Sequence, residues 1–335
     1  MDLTTRYMGL ELKNPLVASA SPLTGNLDAI RILEDAGAAA IVLPSLFEER
    51  IEAEARAHEV LTATGLENLP EARSYLPEAE GPAPEQYLDL IRRAVAAVDI
   101  PIIASLNGTT DEGWTGYATL IEQAGAAALE LNVYLIPTDL SLTGSEVEES
   151  CLDVLRQVRR TVALPLAIKL GPYFSSIGQI AAQFASAGAD ALVLFNRFYQ
   201  PDIDLAQVRL RNDLQLSNSS EIGLQLLWIA LLCGRVDASL AASTGVEGSE
   251  QVIKYLLAGA DAVMSTASLL RHGPRHMENL LNGTMSWLSA RDISSLDEIR
   301  GLLSQHRFTN PDSFGRASYV NILRDYAALH RHEAE

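Results

Sequence analysis

Short apolar runs alternate with amphipathic segments along most of the chain. Four of these runs follow the same local sequence, in which the end of a helical pattern and a glycine come just before the run. The four copies are Asp35–Leu43, Gln123–Leu131, Ser186–Leu194 and Leu257–Met264. Glycine after a helical pattern is typical of a helix C-terminus, and a continuous apolar run is typical of a strand that helices cover on both faces. The repeated unit therefore indicates an alternating β/α architecture.

The same pattern, followed from end to end, predicts eight strands and eight helices. The strands are predicted at Leu16–Ala20, Ala39–Leu43, Ile100–Leu106, Ala128–Val133, Leu164–Leu170, Ala191–Asn196, Ala238–Ser243 and Ala262–Ala267. The helices are predicted at Leu27–Ala36, Tyr87–Val98, Trp114–Ala124, Val147–Val162, Ile177–Ala187, Gly223–Arg235, Gln251–Leu257 and Arg275–Ala290. Eight alternating units make a (β/α)8 TIM barrel, in which functional groups lie at the carboxyl ends of the strands. We therefore predict a single α/β barrel domain over residues 1–335.

Several segments are too long to be simple connections. Residues 45–86 are rich in Glu, Pro and Ala and are predicted to form a lid-like insertion. Residues 134–149 follow the fourth strand and are the candidate substrate loop, and residues 199–221 follow the sixth strand. Long loops on the carboxyl face of a barrel are frequently lids or binding loops. Residues 306–335 are predicted to form a turn and a closing tail helix.

The composition narrows the classes of partner and compartment. The 335 residues carry a formal net charge of −18, which disfavours nucleic acid and anionic membrane surfaces because like charges repel phosphate groups. The two cysteines, Cys151 and Cys233, lie in helical patterns and are predicted to be buried free thiols. The start of the chain lacks a signal-peptide pattern, and no apolar run reaches the roughly 18 residues that span a bilayer. These features predict a cytoplasmic protein.

Amide and small hydroxyl side chains predominate at the carboxyl ends of the predicted strands. These positions include Ala20, Ser45, Asn107, Asn132, Lys169, Asn196, Thr244, Gly245, Ser265 and Thr266. Lys169 is the one cation among them, and burial of an unpaired ammonium is costly, so a partner is expected. Two interpretations of Lys169 stay open: a structural ion pair inside the barrel, or a cation that steadies negative charge on a ligand.

Residues 241–270 provide a candidate site for a phosphate group. Two predicted strands end in Thr244-Gly245 and Ser265-Thr266, where backbone N–H groups can approach an anion, and a helix with a predicted N-cap at Ser249 lies between them. No histidine ends a predicted strand, and neither HExxH nor CxxC spacing occurs, so a protein-held catalytic metal is not expected. Neither a GxSxG turn nor a GxGxxG turn occurs, which argues against an α/β-hydrolase and against a dinucleotide-binding fold. Amides, one lysine and a phosphate cradle suit FMN, and they also suit a sugar phosphate.

Several stretches resemble the dihydroorotate dehydrogenase family, in particular its soluble class 1 enzymes. The resemblance covers nearly the whole chain and includes LTTRYMGLELKNPLVASASPLTGN, AGAAAIVLPS, IPIIASLNG, LELN, LAIKLGPYF, the strand end at Asn196 and STGVEGSEQVIKYLLAGADAVMSTASLL. It implies a barrel that binds FMN and oxidises dihydroorotate to orotate, in pyrimidine biosynthesis, or acts on a related small planar acid. The chain starts close to the first strand, so the membrane-attaching extension of class 2 enzymes is not expected.

The resemblance also implies roles for individual residues. The residues that would contact FMN are Ser19, Ala20, Ser45, Asn107, Asn132, Lys169, Thr244, Gly245, Ser265 and Thr266, of which the last four would hold the phosphate. Lys169 would lie beside the flavin N1–C2=O edge, where reduction places negative charge. The catalytic set would be Lys169, Asn132 and Asn196, with Asn196 on the substrate ring.

The chain departs from the family pattern on the substrate side. The family's strand-two lysine, in a T-K-S pattern, is replaced by Pro44. The family's loop N-x-S-C-P-N, or Ser in place of Cys, corresponds to Asn132–Pro137, with no thiol or hydroxyl base at the expected place. Removal of hydride from one carbon requires removal of a proton from its neighbour. The base is therefore unassigned, and the candidates in the same loop are Tyr134 and Ser141, with Thr138 and Ser145.

Three functions are compatible with the sequence. The first is an FMN-dependent oxidoreductase that acts on CH–CH groups of a small-molecule substrate, with an electron acceptor that the sequence does not identify. The second is a non-flavin β/α-barrel enzyme that acts on a phosphorylated metabolite. The third is a catalytically silent flavin-binding homologue. The family resemblance also suggests a homodimer.

Overall fold

The fold is a (β/α)8 barrel whose eight strands are all parallel. The structure is a computed structural model, and it describes residues 1–53, 56, 83–108, 111–198, 201–211, 214–307, 320, 323 and 324. Most of the predicted lid at 45–86 and nearly all of the predicted tail helix at 306–335 lie outside the described residues. The barrel strands pair in chain order from Leu16–Ala18 to Ala262–Ser265, and the last strand pairs with the first. The prediction of a TIM barrel is confirmed.

The elements follow the predicted alternation. The strands are β1 Thr5–Tyr7, β2 Leu10–Leu12, β3 Leu16–Ala18, β4 Ala40–Phe47, β5 Ile102–Asn107, β6 Ala128–Asn132, β7 Leu166–Leu170, β8 Ala191–Leu194, β9 Asp202–Asp204, β10 Arg209–Arg211, β11 Ser239–Ala242 and β12 Ala262–Ser265. The α-helices are α1 Leu27–Asp35, α2 Pro84–Ala97, α3 Asp111–Gln123, α4 Gly144–Thr161, α5 Ile177–Ser186, α6 Gly223–Leu232, α7 Ser249–Ala258, α8 Ala267–His272 and α9 His276–Ser289. None of the helices in the described ranges has the length and apolar character needed to cross a bilayer.

Local sequence explains where several helices begin and end. The Asn26 side chain accepts hydrogen bonds from the first turn of α1, and Thr143 with Glu146 forms a capping box at the start of α4. Gly259 ends α7 with φ of +119°, a conformation that favours glycine. Helix α7 starts at Ser249, as predicted, but Ser249 is not the N-cap, because Gly248 occupies the cap and its N–H bonds the Gln251 side chain at 2.9 Å.

Two strands differ from their predicted bounds in ways that affect the site. Strand β4 continues through Phe47, past the predicted end at Leu43, because a register shift between Val42 and Ser45 accommodates Pro44 and keeps Leu46 buried. Strand β12 stops at Ser265, and the predicted strand residue Ala267 instead begins the short helix α8. Ser45 therefore lies inside a strand, not at its end.

The barrel interior is filled mainly by small apolar side chains. Alanines of several strands, together with Val17 and Val42, pack there against Tyr7 and Met8. The antiparallel β1–β2 hairpin carries these two residues and lies across the amino ends of β11 and β12, because Thr5 bonds the Asp261 carbonyl oxygen and the Met8 N–H bonds Ser239. The hairpin closes the end of the barrel at which the strands begin, so a ligand enters from the opposite end, the carboxyl face.

Candidate active site

Three predicted site residues stand side by side at the carboxyl face. Asn107 of β5 is in register with Asn132 of β6, and Asn132 is in register with Lys169 of β7. Asn196 follows β8, and its side-chain amide donates a hydrogen bond of 2.7 Å to the Asn132 side-chain oxygen. The parallel register therefore places Asn132 next to Lys169, with Asn196 bonded to Asn132 and Asn107 one strand farther from the lysine.

The expected partner of Lys169 is Glu130, which the sequence interpretation did not single out. The Lys169 ammonium donates to Glu130 Oε1 and to Ser19 Oγ, both at 3.4 Å, and Lys169 and Glu130 are 8 % and 1 % exposed. Glu130 and Asn132 are two positions apart in β6, so both side chains project to the same side of the sheet. An ammonium has three N–H donors, and these two contacts leave one for a ligand.

A cavity of about 280 Å³ at the carboxyl face gathers seven of the predicted residues. They are Ser19, Ala20, Lys169, Asn196, Thr244, Gly245 and Thr266. Four of the residues predicted to contact FMN do not line it, namely Ser45, Asn107, Asn132 and Ser265.

Two of the four have their hydroxyl groups occupied in local contacts. Ser45 shares a hydrogen bond of 2.8 Å with Ser105. Ser265 is 2 % exposed and shares one of 2.7 Å with Ser268, which stabilises the start of α8. Ser265 therefore shapes the turn after β12, and Thr266 is the residue that faces the cavity.

The end of the cavity between β11 and β12 has features of an anion site. Thr244 and Gly245 adopt φ values of +82° and +74°, and Thr244 is fixed by its hydroxyl bond to the Phe195 carbonyl oxygen at 3.1 Å. Thr266 precedes α8 without any side-chain cap, so the first amides of that turn are not satisfied by its hydroxyl. The Gly245 N–H bonds Ser217 Oγ at 3.2 Å. Ser217 is thus a site residue that sequence patterns did not reveal.

Residues 214–219, the mouth segment, run over this end of the cavity. Arg197 donates to the Gln215 carbonyl oxygen, and Arg271 donates to that of Leu216 at 2.9 Å. Glu247 binds Arg271 at 2.9 Å and accepts the Ser219 N–H at 3.1 Å. Hydrogen bonds from Ser219, with a smaller contribution from Arg271, hold the pKa of Glu247 below its ordinary value. The mouth segment is therefore held by charged groups on both sides.

A second, larger cavity of about 740 Å³ adjoins the first and shares Asn196, Arg197 and Thr244 with it. Of the candidate bases, Tyr134 lines this cavity, where its ring contacts Phe198 at a centroid distance of 4.4 Å. Ser141 is exposed and donates its hydroxyl to Asp139 at 2.7 Å, so it caps a local turn away from both cavities. Tyr134 is consequently the loop hydroxyl that reaches the substrate side.

The two cysteines do not supply the missing base. Cys151 is buried, while Cys233 is only partly buried, so the prediction of two buried thiols holds for one of them. Burial, with a smaller contribution from Glu148, raises the pKa of Cys151 to about 11. A thiol with this pKa is protonated at neutral pH and behaves as a small apolar group. Across the part of the chain that the structure describes, no cluster of His, Cys, Asp and Glu could hold a metal ion.

We expect the ultraviolet absorbance of the Cys151 thiolate to rise about tenfold per pH unit up to about pH 10, because burial keeps the thiol protonated below that pH. The measurement uses the Cys233→Ser variant, so that Cys151 is the one remaining cysteine. The Cys151→Ser/Cys233→Ser variant gives the background absorbance. A thiolate absorbance that levels off below pH 9 while the protein stays folded would contradict the raised pKa and would reopen a role for this thiol.

Comparison with known proteins adds relatives but no matching family model. The chain is 26% identical over 318 residues to the dihydroorotate dehydrogenase B (NAD(+)) catalytic subunit of Methanothermobacter thermautotrophicus, covering 90% of this chain and 98% of the relative. It is 24% identical over 314 residues to the same subunit of Petrotoga mobilis, covering 90% and 100%. It is also 24% identical over 326 residues to the NAD-dependent dihydropyrimidine dehydrogenase subunit PreA of Escherichia coli, covering 91% and 77%.

The similarity to these relatives covers 90% or 91% of this chain. The likeness agrees with the motifs at the strand ends and with the closed parallel barrel. Within this similar sequence, the chain differs from the family pattern on the substrate side, at Pro44 and at Asn132–Pro137. The chain is a divergent dihydroorotate dehydrogenase-like protein.

Proposed function

We propose that the protein is an FMN-dependent oxidoreductase that acts on a CH–CH bond of a small planar ring compound. The observation that carries this proposal is the buried Lys169 ammonium, which has one N–H left for a ligand in a cavity that also contains Thr244, Gly245 and Thr266. A cation at one end and backbone amides at the other match a ligand with an electron-accepting ring and a phosphate. A bound FMN would provide a flavin ring that can accept a hydride from the substrate.

The donor set fits FMN on two counts. Lys169 can stabilise negative charge that develops on a bound ring, since it is buried and held in place by Glu130 and Ser19. Thr244, Gly245 and Thr266 can bind the phosphate through backbone N–H groups. The Gly245 N–H would exchange its bond to Ser217 for one to the phosphate.

The substrate would lie over the amides of Asn132 and Asn196, which hydrogen-bond each other at 2.7 Å. These amides can instead hydrogen-bond the carbonyl and N–H groups of a substrate ring. Dihydroorotate, a dihydropyrimidine or a related small planar acid are the first compounds to test, since the relatives are named for dihydroorotate and dihydropyrimidine oxidation. A catalytically silent flavin-binding homologue is the second candidate, because Leu135 stands where the family resemblance places a thiol or hydroxyl. Homodimer formation and a cytoplasmic location stay predictions.

The test is a spectroscopic titration of purified protein. We expect a yellow protein that holds FMN in near-stoichiometric amount and whose flavin band bleaches under anaerobic conditions on addition of the substrate. Bleaching by dihydroorotate supports dihydroorotate oxidation, and bleaching by NAD(P)H alone supports a different reductase. A yellow protein that no reductant of this class bleaches supports the silent homologue. A protein that takes up no FMN but binds a sugar phosphate overturns the proposal.

A further inference from the structure

The loop after β6 has an apolar surface where the family resemblance places polar substrate contacts. Its residues 133–137 are Val, Tyr, Leu, Ile and Pro. Val133 is buried, Leu135 packs against the core, and Ile136 is 51 % exposed beside the barrel mouth. The side chains that replace the polar motif therefore do not simply disappear into the core.

Four of these side chains, those of Val133, Leu135, Ile136 and Pro137, form one wall of a cavity of about 300 Å³. Val147 and Cys151 of α4 contribute to it, and Phe174 and Phe198 complete it. Among the described residues, those that line the cavity are apolar or aromatic, except for Cys151 with its thiol. A carboxylate or ammonium bound there would lose its hydration without a charged partner among the described residues, which is strongly unfavourable.

The apolar cavity adjoins the substrate side of the site. It shares Tyr173 and Phe198 with the larger cavity, and the larger cavity contains Asn196. The Phe198 ring lies 5.1 Å from that of Tyr173 and 4.4 Å from that of Tyr134. Because Tyr173 and Phe198 line both cavities, the two spaces are adjacent along these rings, and a ligand that lies over Asn196 can extend along Phe198 into the apolar cavity.

We infer that the substrate of this protein is a planar ring that carries an apolar substituent, an alkyl chain or a second ring. The substituent occupies the cavity formed by Val133, Leu135, Ile136, Pro137, Val147, Cys151, Phe174 and Phe198. The inference rests on the proposed function for the identity of the reacting ring. An apolar cavity of about 150 Å³ in a protein core stays dry and binds benzene, so one of about 300 Å³ has room for a larger apolar group.

Two ligand series test the inference on the purified protein after incubation with FMN. The first is benzene to butylbenzene, which probes the cavity alone, and the second is uracil with 5-alkyl or 6-alkyl chains from methyl to hexyl. Dissociation constants come from calorimetry or ligand-observed NMR, so no turnover is needed. Each methylene is expected to lower the dissociation constant about three- to fourfold until the cavity is full.

Val147→Phe fills the cavity from the half-buried face of α4 and is expected to abolish the gain from chains longer than ethyl. Val95→Phe, on an exposed position near the end of α2, is the matched control and is expected to bind both series as the unchanged protein does. FMN content is measured for both variants and is expected to stay the same.

The outcomes separate this inference from the proposed function. Alkylbenzenes that do not bind, or that bind equally well to the Val147→Phe variant, overturn the inference. Alkylbenzene binding without any gain along both uracil series also overturns it, because the cavity is then not part of the substrate site. If the protein holds no FMN but the alkylbenzene series behaves as expected, the proposed function fails and the apolar site stands.

Discussion

Lys169→Met is expected to lower the free energy of unfolding by about 3–5 kcal/mol, because it leaves Glu130 as a buried carboxylate without its partner. Glu130 is 1 % exposed, and within the described residues its Oε2 atom already lacks a hydrogen-bond partner. Lys169 is therefore its main source of compensation. Urea denaturation followed by circular dichroism measures the change, and the linear extrapolation gives the free energy.

The double variant Lys169→Met/Glu130→Gln is the control that separates structure from function. It removes both charges, so most of the lost stability is expected to return. If Lys169 acts on a bound ligand, the double variant should still bind FMN more weakly and reduce it about 100-fold more slowly than the unchanged protein, as for loss of one stabilising electrostatic group. FMN affinity is read from fluorescence titration, which does not depend on turnover.

Two results would decide between the interpretations of Lys169 that the sequence leaves open. A stable double variant with unchanged FMN affinity and unchanged reduction would make the pair purely structural. A single variant as stable as the unchanged protein would show that Glu130 is not charged or not buried in solution. We expect the double variant to recover most of the free energy of unfolding but not the FMN affinity or the rate of flavin reduction. This combination would show that Lys169 interacts with the bound ligand.

The pair also shows what the sequence could and could not predict. A lysine within the apolar strand LAIKL signals a buried cation that needs a partner, and that expectation is confirmed. The identity of the partner depends on the register between β6 and β7, which pairs Asn132 with Lys169 and so brings Glu130 close. Strand register is a tertiary property, because it follows from how the whole barrel closes.

The strands and helices were predictable because the same pattern, a helix, a glycine and an apolar strand, repeats along the chain. Apolar strands and glycine stops at Gly37, Gly125, Gly188 and Gly259 are local signals, and each of these glycines has a positive φ. The exact ends were less predictable. The apolar run after Asp261 gives no sign that β12 ends at Ser265, since the Ser265–Ser268 hydroxyl contact that helps to start α8 arises only in the folded turn.

The substrate side was the least predictable part of the site. The mouth segment has no periodic apolar pattern, and Ser217 reaches Gly245 only because Arg197, Arg271 and Glu247 hold the segment there. These contacts join residues that are distant in sequence. Site residues on such loops have to be found from the structure, whereas those at strand ends can be listed from the sequence.

Gly245→Ala is expected to weaken FMN binding about 10- to 100-fold and to lower the free energy of unfolding by about 1–3 kcal/mol. Gly245 has φ of +74°, and a Cβ atom there would lie 2.6 Å from Ile222 Cγ2 and 2.9 Å from the Asn218 carbonyl oxygen. Because one of these atoms belongs to the backbone, residues 217–222 have to move, and the anion end of the cavity moves with them.

Gly9→Ala is the matched control for backbone strain. Gly9 has a similar φ of +78° in the β1–β2 turn, but a Cβ atom there has nothing within 4 Å. It should cost about 1 kcal/mol of stability and leave FMN affinity unchanged. Thermal denaturation and fluorescence titration of the two variants measure both effects. Equal FMN affinities would show that the turn at Gly245 does not form part of the phosphate site, because the strain is common to both variants and the crowding is not.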